Sequence, residues 1–175
     1  MHLIDITDMA KRSCLLEEQA HLDNLTRVYN RHRFLEFVDE IEDSKREYSL
    51  CIIDIDHFKA VNDEFGHDVG DIVLKEVAGV LKDNIRGNDI LARWGGEEFI
   101  LLLDGVGIEI GYVVADKLNK KLKEKIIPEI GRNITASIGI SSNVMGLSMD
   151  EIRIQADKAL YEAKRNGRNQ VVKYS

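Results

Sequence analysis

Apolar positions change their period several times along this chain, and each change predicts an element. From Met1 to Leu22 the sequence is polar overall, with Leu3, Ile6, Met9, Ala10, Ser13, Leu16 and Ala20 at spacings of three and four. That is a helix with one weak apolar seam, and two readings stay open for it: a stalk that pairs with a second copy, or a lone packing helix. Asn30 suits the N-cap of a helix whose Phe34, Phe37, Val38 and Ile41 share a face. Ser49 to Ile55 is a nearly continuous apolar run that carries Asp54 at its end, which predicts a central strand buried on both faces. Ile72, Val73, Val77, Val80 and Leu81 predict a helix after Gly70, and the runs Ile90 to Trp94 and Phe99 to Leu103 predict a hairpin around Gly95-Gly96. Val114, Leu118 and Leu122 mark another helix, with Pro128 in a turn beyond it, and Ile134 to Ile140 another strand. Ser148 and Glu151 form a capping box opening a last helix through Ile152, Ala156, Ala159, Leu160 and Ala163, and Val171 to Tyr174 closes the sheet. The order strand, helix, strand, strand, helix, strand predicts an α/β (α+β) domain with a ferredoxin-like, split βαβ, palm-type sheet surrounded by helices, extended by one helix and one strand. The expected division is a stalk or linker helix over 1–22 and one domain over 23–175.

Composition narrows the partners. A chain of 175 residues with 44% hydrophobic content forms one compact core. A net charge of −7 excludes a surface that grips polymeric nucleic acid, but leaves open a single nucleotide whose phosphates are neutralised by bound cations. Cys14 and Cys51 lie in unlike contexts, one polar and one apolar, so no structural disulfide is expected and the chain reads as cytoplasmic. No apolar stretch approaches the length of a membrane span, and no signal peptide opens the sequence, so no membrane contact is expected within this chain.

The candidate chemistry clusters at the predicted strand ends. Asp54 and Asp56 end one strand, while Glu97 and Glu98 follow the hairpin glycines. Acids brought together there are either oxygen ligands for Mg²⁺ or Mn²⁺ or ordinary solvated turn acids. Gly95-Gly96 serves either a close approach to a ligand ring or a plain type I′ turn. The segment Lys164-Arg165-Asn166-Gly167-Arg168 suits either a helix C-terminus, where cations meet the negative dipole end, or contacts to a triphosphate.

These residues also resemble a known family. Arg93-Trp94-Gly95-Gly96-Glu97-Glu98-Phe99 is similar to the signature of the GGDEF diguanylate cyclases, in its GGEEF form. Asp23-Asn24-Leu25-Thr26 with Asn30-Arg31 resembles the family's opening motif. Asp54-Ile55-Asp56-His57-Phe58-Lys59 with Asn62-Asp63 and Phe65-Gly66-His67 resembles its central motif, followed by Gly70-Asp71. Thr135 to Gly139 and Tyr161 to Asn169 resemble its last two blocks, so the likeness runs from Asp23 to Asn169 in family order. Arg27 and Val28 stand where the family usually has glycine and leucine, and Trp94 where tyrosine is common; none of the three is an expected ligand.

The resemblance implies an enzyme that condenses two GTP into cyclic di-GMP and two pyrophosphates. Asp54, Glu97 and the carbonyl of Ile55 would hold Mg²⁺ or Mn²⁺, two ions per site, with Glu98 in or beside the metal shell and the candidate general base. Asn62 and Asp71 would read the guanine edge. Gly95 and Gly96 would lie under the nucleotide, and the backbone at Phe58 and Lys59, with Lys164 and Arg168, would hold the phosphates. One domain offers one pocket, so catalysis implies a homodimer. Arg86 and Asp89, an Arg-x-x-Asp ending ahead of the signature, resemble the family's inhibitory product site, although the same residues suit a solvated turn. The alternative is a catalytically silent GTP or cyclic di-GMP receptor, which the intact signature disfavours.

Overall fold

The computed structural model describes residues 4–143 and 146–175; Met1, His2, Leu3, Val144 and Met145, including the first positions of the N-terminal seam, lie outside the described residues. Helix α1 (Ile4–Ala20) ends at Ala20 rather than Leu22, and Met9 and Leu16 of its seam are exposed. Leu22 bridges Tyr29, and Tyr29 bridges Ala92, which stitches the start of the domain to the sheet. The Asn30 side chain accepts the Arg33 N–H and opens α2 (Arg31–Ser44), which buries Phe34, Val38 and Ile41. Next come β1 (Tyr48–Ile55), α3 (Phe58–Phe65), α4 (His67–Asp83), β2 (Ile90–Gly95), β3 (Glu98–Asp104) and α5 (Ile108–Glu124). The chain then forms the small hairpin β4 (Ile126–Ile127) and β5 (Arg132–Asn133), followed by β6 (Ala136–Ser142), α6 (Met149–Arg165) and β7 (Val171–Lys173).

The five-stranded sheet runs β2-β3-β1-β6-β7, with β1 in the centre, antiparallel to β3 and β6, and β7 parallel to β6. Its first four strands give the ferredoxin-like order, as the alternation of elements predicts. Period-two geometry sorts β1 into two cores. Cys51, Ile53 and Ile55 face the cluster built with α3, α4 and α5, whereas Leu50 packs toward α2 and Ile52 against Ala156 and Leu160 of α6. Asp54 continues the parity of Leu50 and Ile52. The sheet therefore delivers its carboxylate to the α6 side, at the strand's end.

Three elements differ from the sequence reading. An eight-residue helix, α3, follows β1 directly; two turns are too short to show a helical period. Gly70 lies inside α4 rather than ahead of it. Pro128 sits in the loop of the β4–β5 hairpin, and β6 begins at Ala136 instead of Ile134. Both cysteines are free, Cys14 exposed and Cys51 buried. No helix of the described residues is long and apolar enough to cross a membrane.

Candidate active site

Two antiparallel strands place the acids side by side. Asp54 pairs in register with Glu98 across β1 and β3, and the Ile55 N–H donates to the Glu97 carbonyl at 3.3 Å. Lys164, in the last turn of α6, reaches Asp54 from the neighbouring layer, its Nζ lying 3.0 Å from Oδ2. The helix comes this close because Gly139 of β6 has no side chain. A Cβ there would run into the backbone of Ala156 and Leu160.

Burial pushes the Asp54 carboxyl above the ordinary range against the pull of Lys164, and Glu97 and Asp56 add to the rise. Burial likewise raises Glu98, helped by Asp157 and Asp54, and burial raises Asp157 against Arg153 and Lys164. Partly desolvated carboxylates that repel one another favour a bound cation. Among the described residues no three His, Cys, Asp or Glu side chains are arranged to hold a metal. The donors fit a different arrangement: one or two carboxylates and a backbone carbonyl, with the remaining positions left for substrate phosphates and water, as Mg²⁺ commonly takes.

Asp56 departs from the acid cluster. The strand ends at Ile55, and the Asp56 side chain, 4% exposed, turns toward β6 and the segment after α6. It accepts the Thr135 hydroxyl at 2.7 Å, the Ser137 hydroxyl at 2.6 Å and the Asn169 N–H at 3.0 Å. Its acceptor capacity is committed to protein donors.

The hairpin turn is braced from a distance. Gly96 has φ 31° and Glu97 is not among the residues of positive φ, so the turn is not the type I′ form, which needs positive φ at both centres. Arg93 donates to the Gly96 carbonyl at 2.8 and 3.0 Å and meets Asp23 at 3.3 Å. Asp23 in turn accepts the Thr26 N–H and hydroxyl. Although burial works against it, these Thr26 bonds and the Arg93 guanidinium hold the Asp23 carboxyl below the ordinary range. The opening motif thus supports the turn that carries Gly95, Gly96 and Glu97. Trp94 packs edge-on to Phe34, with the Arg31 guanidinium 4.3 Å from its ring centre.

Helices α3 and α4 flank the other side of the site. His57 precedes α3 with φ 56° and makes no side-chain cap, so the N–H groups of Phe58 and Lys59 stay free of helical partners just past the strand that carries Asp54. Asn62 lies against Gly70, where an added Cβ would overlap its Oδ1 and sit 3.0 Å from its Cγ; Asp71 is the next, exposed residue. Gly70 is therefore the space that Asn62 occupies. Arg168 is exposed in the turn that follows α6.

Arg86 and Asp89 form a turn at the opposite end of β2 from Gly95, about 20 Å away at 3.3 Å per residue. Asp89 accepts the Arg86 N–H at 2.9 Å and the Asp104 N–H at 3.2 Å. Both residues line a cavity of about 330 Å³ shared with Arg27, Tyr29 and Leu91. A second cavity, about 760 Å³, lies beside Arg46, Tyr48 and Asn143 and contains none of the expected site residues.

The ferredoxin-like sheet thus gathers desolvated carboxylates, a lysine, an uncapped helix start and a bare glycine turn at one end. The chain belongs to the family of diguanylate cyclase GGDEF domains, whose model matches residues 20–170. It is 39% identical over 180 residues to diguanylate cyclase A of Treponema denticola, covering 97% of this chain and 48% of that protein. It is 41% identical over 163 residues to the probable diguanylate cyclase DgcT of Escherichia coli K12, covering 87% of this chain and 35% of that protein. This chain thus spans less than half the length of those relatives. Its structure matches the coiled coil and GGDEF domain of DgcB from Caulobacter crescentus, solved in complex with c-di-GMP, with a TM-score of 0.90 at 27% identity, covering 97% of this chain and 94% of that one.

Proposed function

We propose that the chain is a cytoplasmic diguanylate cyclase that joins two GTP into cyclic di-GMP and releases two pyrophosphates, working as a homodimer with Mg²⁺ or Mn²⁺, two ions per site. The observation that carries the proposal is the convergence at one sheet end of Asp54, Glu98 and Lys164, within a full set of family motifs. Asp54, Glu97 and the Ile55 carbonyl are the metal ligands in this reading. Metal held there would supply Lewis acidity, lowering the pKa of the attacking 3′-hydroxyl and stabilising the leaving pyrophosphate.

The chain's own residues bind and orient. Asn62 and Asp71 take the guanine edge, because an amide and a carboxylate complement its donors and carbonyl. The free N–H groups of Phe58 and Lys59 at the start of α3, with Lys164 and Arg168, hold the phosphates. Gly95 and Gly96 let the nucleotide lie close to the turn. Glu98, raised by burial and by its acid neighbours, is suited to accept the proton that the 3′-hydroxyl loses. Each domain brings one nucleotide, so the 3′-oxygen of one reaches the α-phosphorus of the other only when two domains face each other. Arg86 and Asp89 bind product, the guanidinium donating to the O6/N7 edge and the carboxylate accepting from N1–H and N2–H, which restrains the dimer in an unproductive arrangement.

Incubating the purified chain with GTP and Mg²⁺ and separating the products by chromatography tests this reading. Cyclic di-GMP and pyrophosphate in a ratio of about one to two are expected from the balance of the reaction. GTP left unreacted at chain concentrations where dimers form overturns it.

A further inference from the structure

Past α6 the chain takes an unusual path. Gly167, Arg168 and Asn169 have φ of 107°, 64° and 48°, three successive residues in the left-handed region. Two of them carry side chains, for which this region is unfavourable. Something must hold the segment there.

Two devices do so, and they act on different things. The Gln170 amide donates to the carbonyls of Ala163, Asn166 and Arg168 at 3.1, 2.9 and 3.3 Å, and the Arg168 N–H donates to the Ala163 carbonyl at 2.9 Å. These bonds fix the shape of the turn against its own helix. The second device is Asp56, whose Oδ2 accepts the Asn169 N–H at 3.0 Å while its two oxygens are anchored by the hydroxyls of Thr135, just ahead of β6, and Ser137, within it. The Asp56 backbone N–H, donating to the Thr135 carbonyl at 2.9 Å, ties it to the same place. Asp56 also stands two residues from Asp54. One buried carboxylate therefore joins the end of the acid-bearing strand, the start of β6 and the turn that presents Arg168.

We infer that Asp56 is a positioning residue for polyphosphate binding: it holds the 167–169 turn, and with it Arg168, in register with Asp54 at the end of β1. Asp56 touches neither substrate nor metal in this role. The inference rests on the reading of Arg168 as a phosphate contact, and concerns what keeps that contact in place. A carboxylate is suited to the task because it accepts from three donors at once, and a charged acceptor makes each bond stronger than a neutral one would.

The test uses the intact chain with Mg²⁺ and two probes: a GTP analogue carrying a methylene bridge between the α- and β-phosphorus atoms, which cannot react, and guanosine, which has no phosphates. Calorimetry of Asp56→Ala is expected to show analogue affinity lowered about tenfold, the scale of removing one charge-assisted hydrogen bond, with guanosine affinity within about twofold of the parent. Asp56→Asn can turn its oxygen to Asn169 and Thr135 and donate its amide to Ser137, so it is expected to keep most of the analogue affinity. In the double variant with Arg168→Ala, the two losses should not add. Equal loss of guanosine and analogue, or full additivity with Arg168→Ala, overturns the role of Asp56 and leaves a structural acid. Arg168→Ala with weakened analogue binding beside Asp56→Ala with parental binding overturns it as well. Parental binding by Arg168→Ala overturns the phosphate reading first and this inference with it.

Discussion

Replacing Gly70 by alanine separates folding from recognition in one atom. The new Cβ would overlap Asn62 Oδ1, lie 3.0 Å from Asn62 Cγ and touch Phe58 Cζ at 3.4 Å. The overlapping atom is the end of a flexible side chain, so the amide swings away and the helices stay packed. Alanine in a helix interior is favoured over glycine by up to about 1 kcal/mol, which offsets the strain of that movement. The melting temperature should thus change little. Recognition should suffer, because a displaced Asn62 leaves a guanine donor or acceptor unpaired, at a cost of about 1–3 kcal/mol, or roughly 5- to 150-fold in affinity. Calorimetry with the unreactive GTP analogue and its adenine counterpart reads both the loss and the narrowing of selectivity, with circular dichroism melts beside it. A well-folded Gly70→Ala chain that binds the guanine nucleotide as the parent does, with the same preference over adenine, would refute the placement of Asn62 at the base.

Other changes probe separate parts of the structure. Glu97→Gln should lower turnover on the order of a thousandfold while leaving the melting temperature alone; turnover within about tenfold of the parent removes Glu97 from the chemistry. Burial raises the Glu98 carboxyl, so the stability this group contributes is complete below the ordinary glutamate range and is lost as pH rises through its higher folded-state value. Glu98→Gln should accordingly melt higher than the parent at neutral pH, with the gap closing in acid; a gap that does not change with pH contradicts the assignment. Arg27 has φ 60°, and Arg27→Gly should relieve up to about 1 kcal/mol of backbone strain; a lower melting temperature would show that the side chain outweighs it. Arg86→Ala should weaken cyclic di-GMP binding and let more product accumulate at a nearly unchanged initial rate, and identical progress curves and product affinities would refute the site. Asp89 is the poorer probe, because its carboxylate also holds the N–H groups of Arg86 and Asp104.

The sheet was legible because β1 is buried on both faces and reads as an unbroken apolar run, and because the glycines between β2 and β3 mark a hairpin. Period two also assigns Asp54 to the side of Ile52. The same rule misleads at Asp56, which shares that parity in sequence but lies beyond the strand's end, where the backbone turns and sends the side chain to Thr135 and Ser137. Gly70 reads as a helix boundary because glycine weakens helices, whereas here its missing side chain is what the fold uses. Arg93 and Asp23 are 70 residues apart, and no local pattern announces that one braces the turn for the other. Apart from the short elements α3, β4 and β5, what escaped the sequence was of this kind: contacts between segments distant in the chain, or uses of an absent side chain.

Lys164 pairs with Asp54, a proposed metal ligand, and is itself a proposed phosphate contact, so on that reading it lies between the two halves of the site. Its ammonium lies 3.0 Å from Asp54, and a partly desolvated carboxylate near Glu97 and Asp56 would be costly to leave without a counter-charge. A phosphate that drew Lys164 away would leave Asp54 in need of another counter-charge or of a proton, which its burial favours. On the proposed reading a divalent ion would supply that counter-charge, carrying twice the charge of the lysine and taking the Ile55 carbonyl as well as Asp54. On that reading nucleotide and metal would strengthen each other's binding through a single side chain that changes partners, and by linkage the coupling would be equal in both directions. The proposed base-reading pair Asn62 and Asp71 stands outside this exchange, so on this reading guanine recognition would need no cation while the triphosphate would.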